Sequence, residues 1–336
     1  MLSLAWLLVV IAVATVLIWK GSIWLESSGN LLSRYYGLPR VVQGAIVAAA
    51  GSSFPELASI VIATLLYGSF ELGVAAVVGS AIFNVLVIPA LSTLAQPDAL
   101  QANRDLVYKE AQFYLLSVAA LLLAFSLAVI YWPLGGDGLA GEFTAELAIA
   151  MLGLYGLYIF LQYQDTVAHE PTEEPPSIRV GRQWGFLLLG LVLIFIGVEQ
   201  LVGAADELGQ VFGTEPFLWG LIVIAIGTSL PDAIISLKAA RGERHSVSLA
   251  NVFGSNVFDL LVAVPVGALL MWGIDINFDR VAPMMGFLVA ATVVVIGAVR
   301  TDFEITNHEA YVLLSIYLGF IGWMLLESLG VLAIVG

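Results

Sequence analysis

Two short stretches concentrate oxygen-bearing side chains inside otherwise apolar runs: Gly51-Ser52-Ser53-Phe54-Pro55-Glu56 and, 176 positions later, Gly227-Thr228-Ser229-Leu230-Pro231-Asp232. Each is followed by a second signature, Gly79-Ser80-Ala81-Ile82-Phe83-Asn84 and Gly254-Ser255-Asn256-Val257-Phe258-Asp259. Hydroxyls, carboxylates and backbone carbonyls are the ligand set of hard cations. Ser53 and Glu56 are three apart and share a helical face, as do Ser229 and Asp232. Pro55 and Pro231 each remove a backbone donor and crowd the carbonyl four residues earlier, at Gly51 and Gly227, so each helix is expected to break there. A carbonyl freed in this way cannot face lipid and must be buried or line a polar cavity. No lysine or arginine lies near either motif, and two facing carboxylates without a cation would repel until one took up a proton. A bound cation is their natural partner, and a carboxylate pair suits a divalent ion. Ser80, Ser255, Asn84 and Asp259 would add oxygens from the next span of each half.

Composition dictates where these motifs sit. Of 336 residues, 60% are hydrophobic and 11% charged, against roughly 25% charged in soluble domains. With a mean hydropathy of +0.99, the chain reads as a polytopic membrane protein. It contains no cysteine, which removes disulfides, thiolate nucleophiles and cysteine metal sites. His169, His245 and His308 fall in polar segments, which argues against a buried zinc or histidine-relay site. Nothing points to an enzyme, a cofactor, a nucleic acid or a protein partner. The net charge of -14 is compatible with acidic loops or an acidic, high-salt habitat.

Ten spans are expected, at about 2–19 with an amphipathic extension to Tyr36, then 41–67, 72–95, 111–132, 143–164, 183–205, 216–240, 247–272, 281–299 and 310–335. The chain thus divides into a first transmembrane repeat (1–164), a cytoplasmic linker (165–182) rich in Glu and Pro, and a second repeat (183–336). With Lys20 placed after the first span, eleven of the twelve cations fall on one face and Arg280 alone on the other. The positive-inside rule makes that face cytoplasmic and both termini extracellular. Gly21, Gly37, Gly44 and Gly51 recur at Gly197, Gly213, Gly220 and Gly227 with the same offset of 176. Copies five spans apart must cross the bilayer in opposite directions, giving two five-helix repeats of inverted topology, the plan of secondary transporters with a midplane site.

Other polar residues read more plainly. Ser59, Ser117, Ser126 and Ser315 are expected to bond back to their own helices, Gly73, Gly190 and Gly286 to provide packing surfaces, and Glu26 and Glu199 to serve interfacial or helix-packing roles. An intramembrane aspartyl protease built on Asp232 and Asp259 would leave the duplicated Glu56 and Asn84 unexplained, and a channel would lack saturable counterflow.

The four motifs resemble the α1 and α2 repeats of the sodium/calcium exchanger family, within the calcium/cation antiporter superfamily, over essentially the whole chain. The resemblance implies exchange of several Na⁺ for Ca²⁺ by alternating access, the first and sixth spans sliding against the rest, in a prokaryotic cell membrane. It further implies that Glu56 and Asp232 are the Ca²⁺ carboxylates, with Ser52 and Thr228 contributing. Ser53, Ser229, Ser80, Ser255 and the carbonyls of Ala49 and Ala225 would serve Na⁺, with Asn84 and Asp259 at the centre. A proton-coupled Ca²⁺ or cation exchanger on the same fold is the alternative. Asp232 stands where many prokaryotic members carry Glu, and Ser52 where Thr is common. Asp259 resembles the potassium-dependent exchangers but also occurs in members that ignore K⁺, so K⁺ transport is not inferred. The linker is too short for the regulatory domains of animal exchangers.

Overall fold

A computed structural model describes residues 4–38, 43, 47, 49–104, 107–135, 138–167, 176–242, 245–328 and 331–332. Most of the first part of the second expected span with Gly44, the cations Arg40 and Arg244, residues 168–175 of the linker and the last residues of the tenth span lie outside the described residues.

The helices in chain order are α1 (Leu4–Tyr35), α2 (Ala49–Ser52), α3 (Phe54–Tyr67), α4 (Phe70–Leu94), α5 (Gln112–Tyr131), α6 (Ala145–Val167), α7 (Val180–Phe212), α8 (Pro216–Trp219), α9 (Ala225–Arg241), α10 (His245–Phe258), α11 (Val264–Leu269), α12 (Phe278–Arg300) and α13 (Asn307–Ser328). Among the described residues nine helical segments are long and apolar enough to cross a membrane, with α8 and α9 joined as one and α10 and α11 as another. The shorter apolar helix α3, preceded by α2, stands at the place of the second expected span. The candidate membrane-spanning segments are all helical and agree with two inverted five-helix repeats.

The buried centre is α4 with α10–α11, their equivalents in the two halves. Almost every residue of α4 is shielded from solvent and lipid, which explains its apolar composition on all faces. Outside this centre, α1 and α7 run antiparallel in close contact. A methyl on Gly21 would come within 2.7 Å of the Gly190 carbonyl, and one on Gly197 within 2.8 Å of the Ala14 carbonyl, so glycine alone allows the two backbones to touch. At 32 and 33 residues these helices are about 48 Å long, more than the ~30 Å hydrocarbon core, and must tilt across it or project from it.

That length corrects the expected boundaries. Lys20, expected at the end of the first span, lies in the middle of α1, exposed, with its ammonium 5.0 Å from the centre of the Trp19 ring. A lysine tolerated at that depth carries no sidedness information, and the charge asymmetry rests on the remaining cations. Pro231 does not break its helix either, because α9 continues through it. Gly227 at the crowded position lets the turn accommodate the ring, and the irregularity lies upstream in a π turn at Gly220–Ile224. In the first half the break is real: α2 ends at Ser52, and α3 starts at Phe54 with Pro55 in its first turn.

Another π turn, Asp259–Ala263, separates α10 from α11. Gly79 and Gly254 are 175 apart, whereas Pro89 and Pro265 are 176 apart. The second half therefore carries one additional residue between its signature and its proline, and a π turn is how a helix absorbs such an insertion.

Four short strands, which nothing in the side-chain pattern announced, tie the halves together. β1 (Leu100–Gln101) pairs antiparallel with β4 (Glu304–Ile305), and β2 (Ala140–Thr144) with β3 (Gly273–Asn277). Each ribbon takes one strand from each repeat. Gly141 in β2 lies against the α5 backbone, where a methyl would be 2.5 Å from the Ala128 carbonyl. Arg280 at the start of α12 bridges Glu71 of α4 and Glu215 before α8 at 3.2 and 3.1 Å.

Candidate cation site

The serines of the second signatures lie between the acids of the first. Ser80 on α4 donates to Glu56 Oε1 at 3.1 Å and lies 2.6 Å from Ser229 Oγ. Its counterpart Ser255 on α10 donates to Asp232 Oδ2 at 2.6 Å and receives the Ser53 hydroxyl at 3.4 Å. Each signature serine thus contacts the acid of its own repeat and the motif serine of the other, the arrangement a two-fold pseudo-axis requires. Thr228 lies beside Glu56, and Ser52 beside Asp232, completing the exchange between halves.

Local backbone explains how the side chains arrive there. Ser53 precedes α3 at the N-cap position but makes no capping bond, which leaves its hydroxyl free to cross to Ser255. Glu56 lies in the first turn of α3, where the helix dipole favours negative charge. Asp232 follows Pro231 within α9, and Asp259 opens the π turn. The Ser52 and Thr228 hydroxyls also return to the carbonyls of Ala49 and Ala225, at 3.2 and 3.3 Å. The Ala49 carbonyl additionally accepts the Ser53 amide at 2.9 Å, so that carbonyl is engaged within its own turn.

Glu56, Asp232 and Asp259 are 0%, 1% and 0% exposed. Among the described residues none forms an ion pair with lysine or arginine. Their charges act on one another: Glu56 feels Asp232, and Asp259 feels both. Five acceptor atoms in this cluster have no hydrogen-bond donor: Glu56 Oε2, Asp232 Oδ1, both Asp259 oxygens and Asn84 Oδ1. Leaving buried acceptors unsatisfied costs about 1–3 kcal/mol each, more when charged, so the cluster could accommodate a positively charged guest. Among the described residues no three His, Cys, Asp or Glu side chains are placed to hold a metal by themselves. A cation here must complete its shell with hydroxyl, amide or carbonyl oxygens, as hard ions do.

All twelve expected positions lie within the described residues. The eight carboxylate and hydroxyl residues of the motifs, with Asn84 and Asp259, lie in this one region, and Ala49 and Ala225 one turn before it. The sequence reading missed Asn256, whose amide accepts from Asn84 Nδ2 at 3.0 Å and donates to the Ala81 carbonyl at 3.3 Å. It also missed Asn251, which reaches Asp232 and donates to Ser236 at 3.2 Å. Asn256 lies inside a quoted motif, and its amide at membrane depth was the available signal. Ser59, Ser117, Ser126 and Ser315 bond to carbonyls of their own helices as expected. Gly73 and Gly190 are tight packing points, but Gly286 is exposed with open space around it among the described residues.

Residues 6–164 and 182–326 match the family profile described as "Sodium/calcium exchanger protein". The chain is similar to the sodium/calcium exchanger MaX1 of Methanosarcina acetivorans, 23% identical over 333 residues, covering 90% of this chain and 93% of that one. It is likewise similar to the inner membrane protein YrbG of Escherichia coli, 28% identical over 248 residues and covering 73% and 74%. Its fold matches a solved structure of the sodium-calcium exchanger NCX_Mj soaked with Na⁺ and Sr²⁺, with a TM-score of 0.63 at 22% identity over 94% of this chain and 97% of that one. With its duplicated motifs, inverted repeats and profile match, the chain is an integral membrane protein that belongs to the sodium/calcium exchanger family.

Proposed function

We propose that the protein is a secondary active antiporter that exchanges several Na⁺ for Ca²⁺ by alternating access at one shared site near the midplane. The observation that carries this reading is the set of five buried, donorless oxygens on Glu56, Asp232, Asp259 and Asn84, contributed by both repeats. Ca²⁺ would require Glu56 and Asp232 together. Na⁺ ions would use overlapping oxygens of Ser53, Ser229, Ser80 and Ser255, with Ser52 and Thr228 on the Ca²⁺ side and the Ala49 and Ala225 carbonyls released to Na⁺. Full occupancy by both ions is disfavoured because the added positive charge exceeds what the carboxylates neutralise. If three Na⁺ exchange for one Ca²⁺, one net charge crosses per cycle and each 100 mV contributes about 2.3 kcal/mol.

In this reading residues 1–164 and 183–336 are the two transport repeats and 165–182 the cytoplasmic linker, with both termini extracellular. The small residues at the α1–α7 crossing support sliding of that pair against the other helices. The test is ⁴⁵Ca²⁺ uptake into Na⁺-loaded proteoliposomes. Uptake should require the Na⁺ gradient and fall at least 100-fold in Glu56→Gln and Asp232→Asn. Uptake driven by a pH gradient without Na⁺ would favour the proton-coupled alternative, and active variants would overturn the site assignment.

A further inference from the structure

We propose that Glu26, on α1, is a further cation ligand: an access carboxylate that receives the cation next to Asp232 from one side of the membrane only. The inference rests on the exchange reading above and extends its site to the outer helix.

The geometry starts at Gly51. A methyl there would lie 3.2 Å from Glu26 Cα and 3.5 Å from its Cβ, so α1 crosses the first motif with Glu26 at the crossing point, against the turn that carries Ser52 and Ser53. The side chain is half-buried, on a helix long and apolar enough to cross a membrane, and close enough to Asp232 for the two charges to interact. Among the described residues it pairs with no lysine or arginine. A carboxylate within a membrane-spanning helix is costly and defaults to function. What it faces is equally incomplete, because Asp232 Oδ1 is fully buried with no donor.

The second repeat has no equivalent. The offset of 176 puts Val202, fully buried, at the place of Glu26. Glu199 corresponds instead to Ile23 and is engaged by Gln200. At Gly227 the outer helix presents Leu201. The surroundings of the two motif glycines are therefore chemically different although the fold is pseudo-symmetric, with a carboxylate residue at Gly51 and Leu201 and the Thr15 hydroxyl at Gly227. The carboxylate residue lies toward the C-terminal end of α1, which the orientation proposed above makes cytoplasmic.

The experiment uses full-length protein in proteoliposomes, with insertion direction assigned by labelling a single cysteine introduced as Glu173→Cys in this cysteine-free chain. Glu26→Gln and Glu26→Val are compared with wild type and with Glu199→Gln. A charge acting through space interacts twice as strongly with Ca²⁺ as with Na⁺. On the face reached by the C-terminal end of α1, half-saturating Ca²⁺ should rise about sixfold and half-saturating Na⁺ about 2.5-fold, the square root of that factor. The other face and Glu199→Gln should stay at wild-type values. Equal factors for the two ions, or unchanged affinity with a lower maximal rate, would mean a packing role and overturn the proposal. Equilibrium binding of ⁴⁵Ca²⁺ to the detergent-solubilised protein gives an arm independent of the driving ion. Identical binding by wild type and Glu26→Gln refutes Glu26 as a ligand, whereas weaker binding without Na⁺-driven flux in wild type would refute the exchange reading instead.

Discussion

Gly79→Ala tests whether the contact between α4 and the second repeat sets the site geometry. The new methyl would lie 2.6 Å from the Leu221 carbonyl oxygen, 2.8 Å from Ala225 Cβ and 3.0 Å from Leu221 Cα. Two of these three obstacles are backbone of the π turn Gly220–Ile224, so no rotamer change relieves them. Restoring ordinary contact needs a separation of about 0.8 Å between α4 and that turn, and overpacking of this kind costs roughly 1–3 kcal/mol. Ser80 follows Gly79 directly, and its 2.6 Å and 3.1 Å contacts to Ser229 and Glu56 would stretch by a similar amount. Gly286→Ala on α12 is the control, since nothing among the described residues lies within 4 Å of its methyl, and helix propensity favours alanine by up to ~1 kcal/mol. Thermal unfolding in detergent, followed by tryptophan fluorescence, should place Gly79→Ala roughly 5 °C below wild type and Gly286→Ala at or above it. Exchange should fall about tenfold or more only in the former. Wild-type melting and flux in Gly79→Ala would refute the view that this contact is rigid.

Ser255→Ala removes the 2.6 Å donor from Asp232 Oδ2 and leaves the carboxylate with its weaker contacts to Ser52 and Asn251. A cost of about 1.5–3 kcal/mol is expected, read as a lower melting temperature in cation-free buffer that saturating cation largely restores. Tyr114→Phe deletes the 3.0 Å bond from Thr292 and the hydroxyl's contact with Asn256 of the site, so stability should drop by about 1–2 kcal/mol, read as a lower melting temperature. Arg280→Gln breaks a bridge whose arginine is 32% exposed. Melting should change by no more than about 1 kcal/mol of stability, and the difference should vanish at high salt.

The repeat was legible because its evidence is spacing: glycines and motifs recurring at 176 residues survive any error in span boundaries. The polar residues of the site were legible because hydroxyls and carboxylates at membrane depth are conspicuous against an apolar background. Helix lengths were not, since one lysine at position 20 looks like the end of a span until packing against α7 shows the helix running on. The behaviour of Pro231 was not legible either, because identical Gly-x-x-x-Pro spacing breaks one helix and is absorbed in the other according to what surrounds each. The β ribbons are held by backbone bonds between segments about 130 to 200 residues apart, and no side-chain pattern encodes such pairing. Gly286 and Glu26 share one lesson: whether a residue packs, faces lipid or meets a charge is a property of its neighbour.

The additional residue in the Asp259–Ala263 π turn limits how this transporter could be re-engineered. A tandem fusion of two copies of the first half would lack it, and every side chain beyond the second signature would be turned by about 100° around the helix axis. Gly267, which now lets α11 approach Ile60, would point elsewhere and a bulkier neighbour would take its place. Since the ancestral halves parted, they have become left and right gloves, and restoring identity would take a deletion as well as substitutions.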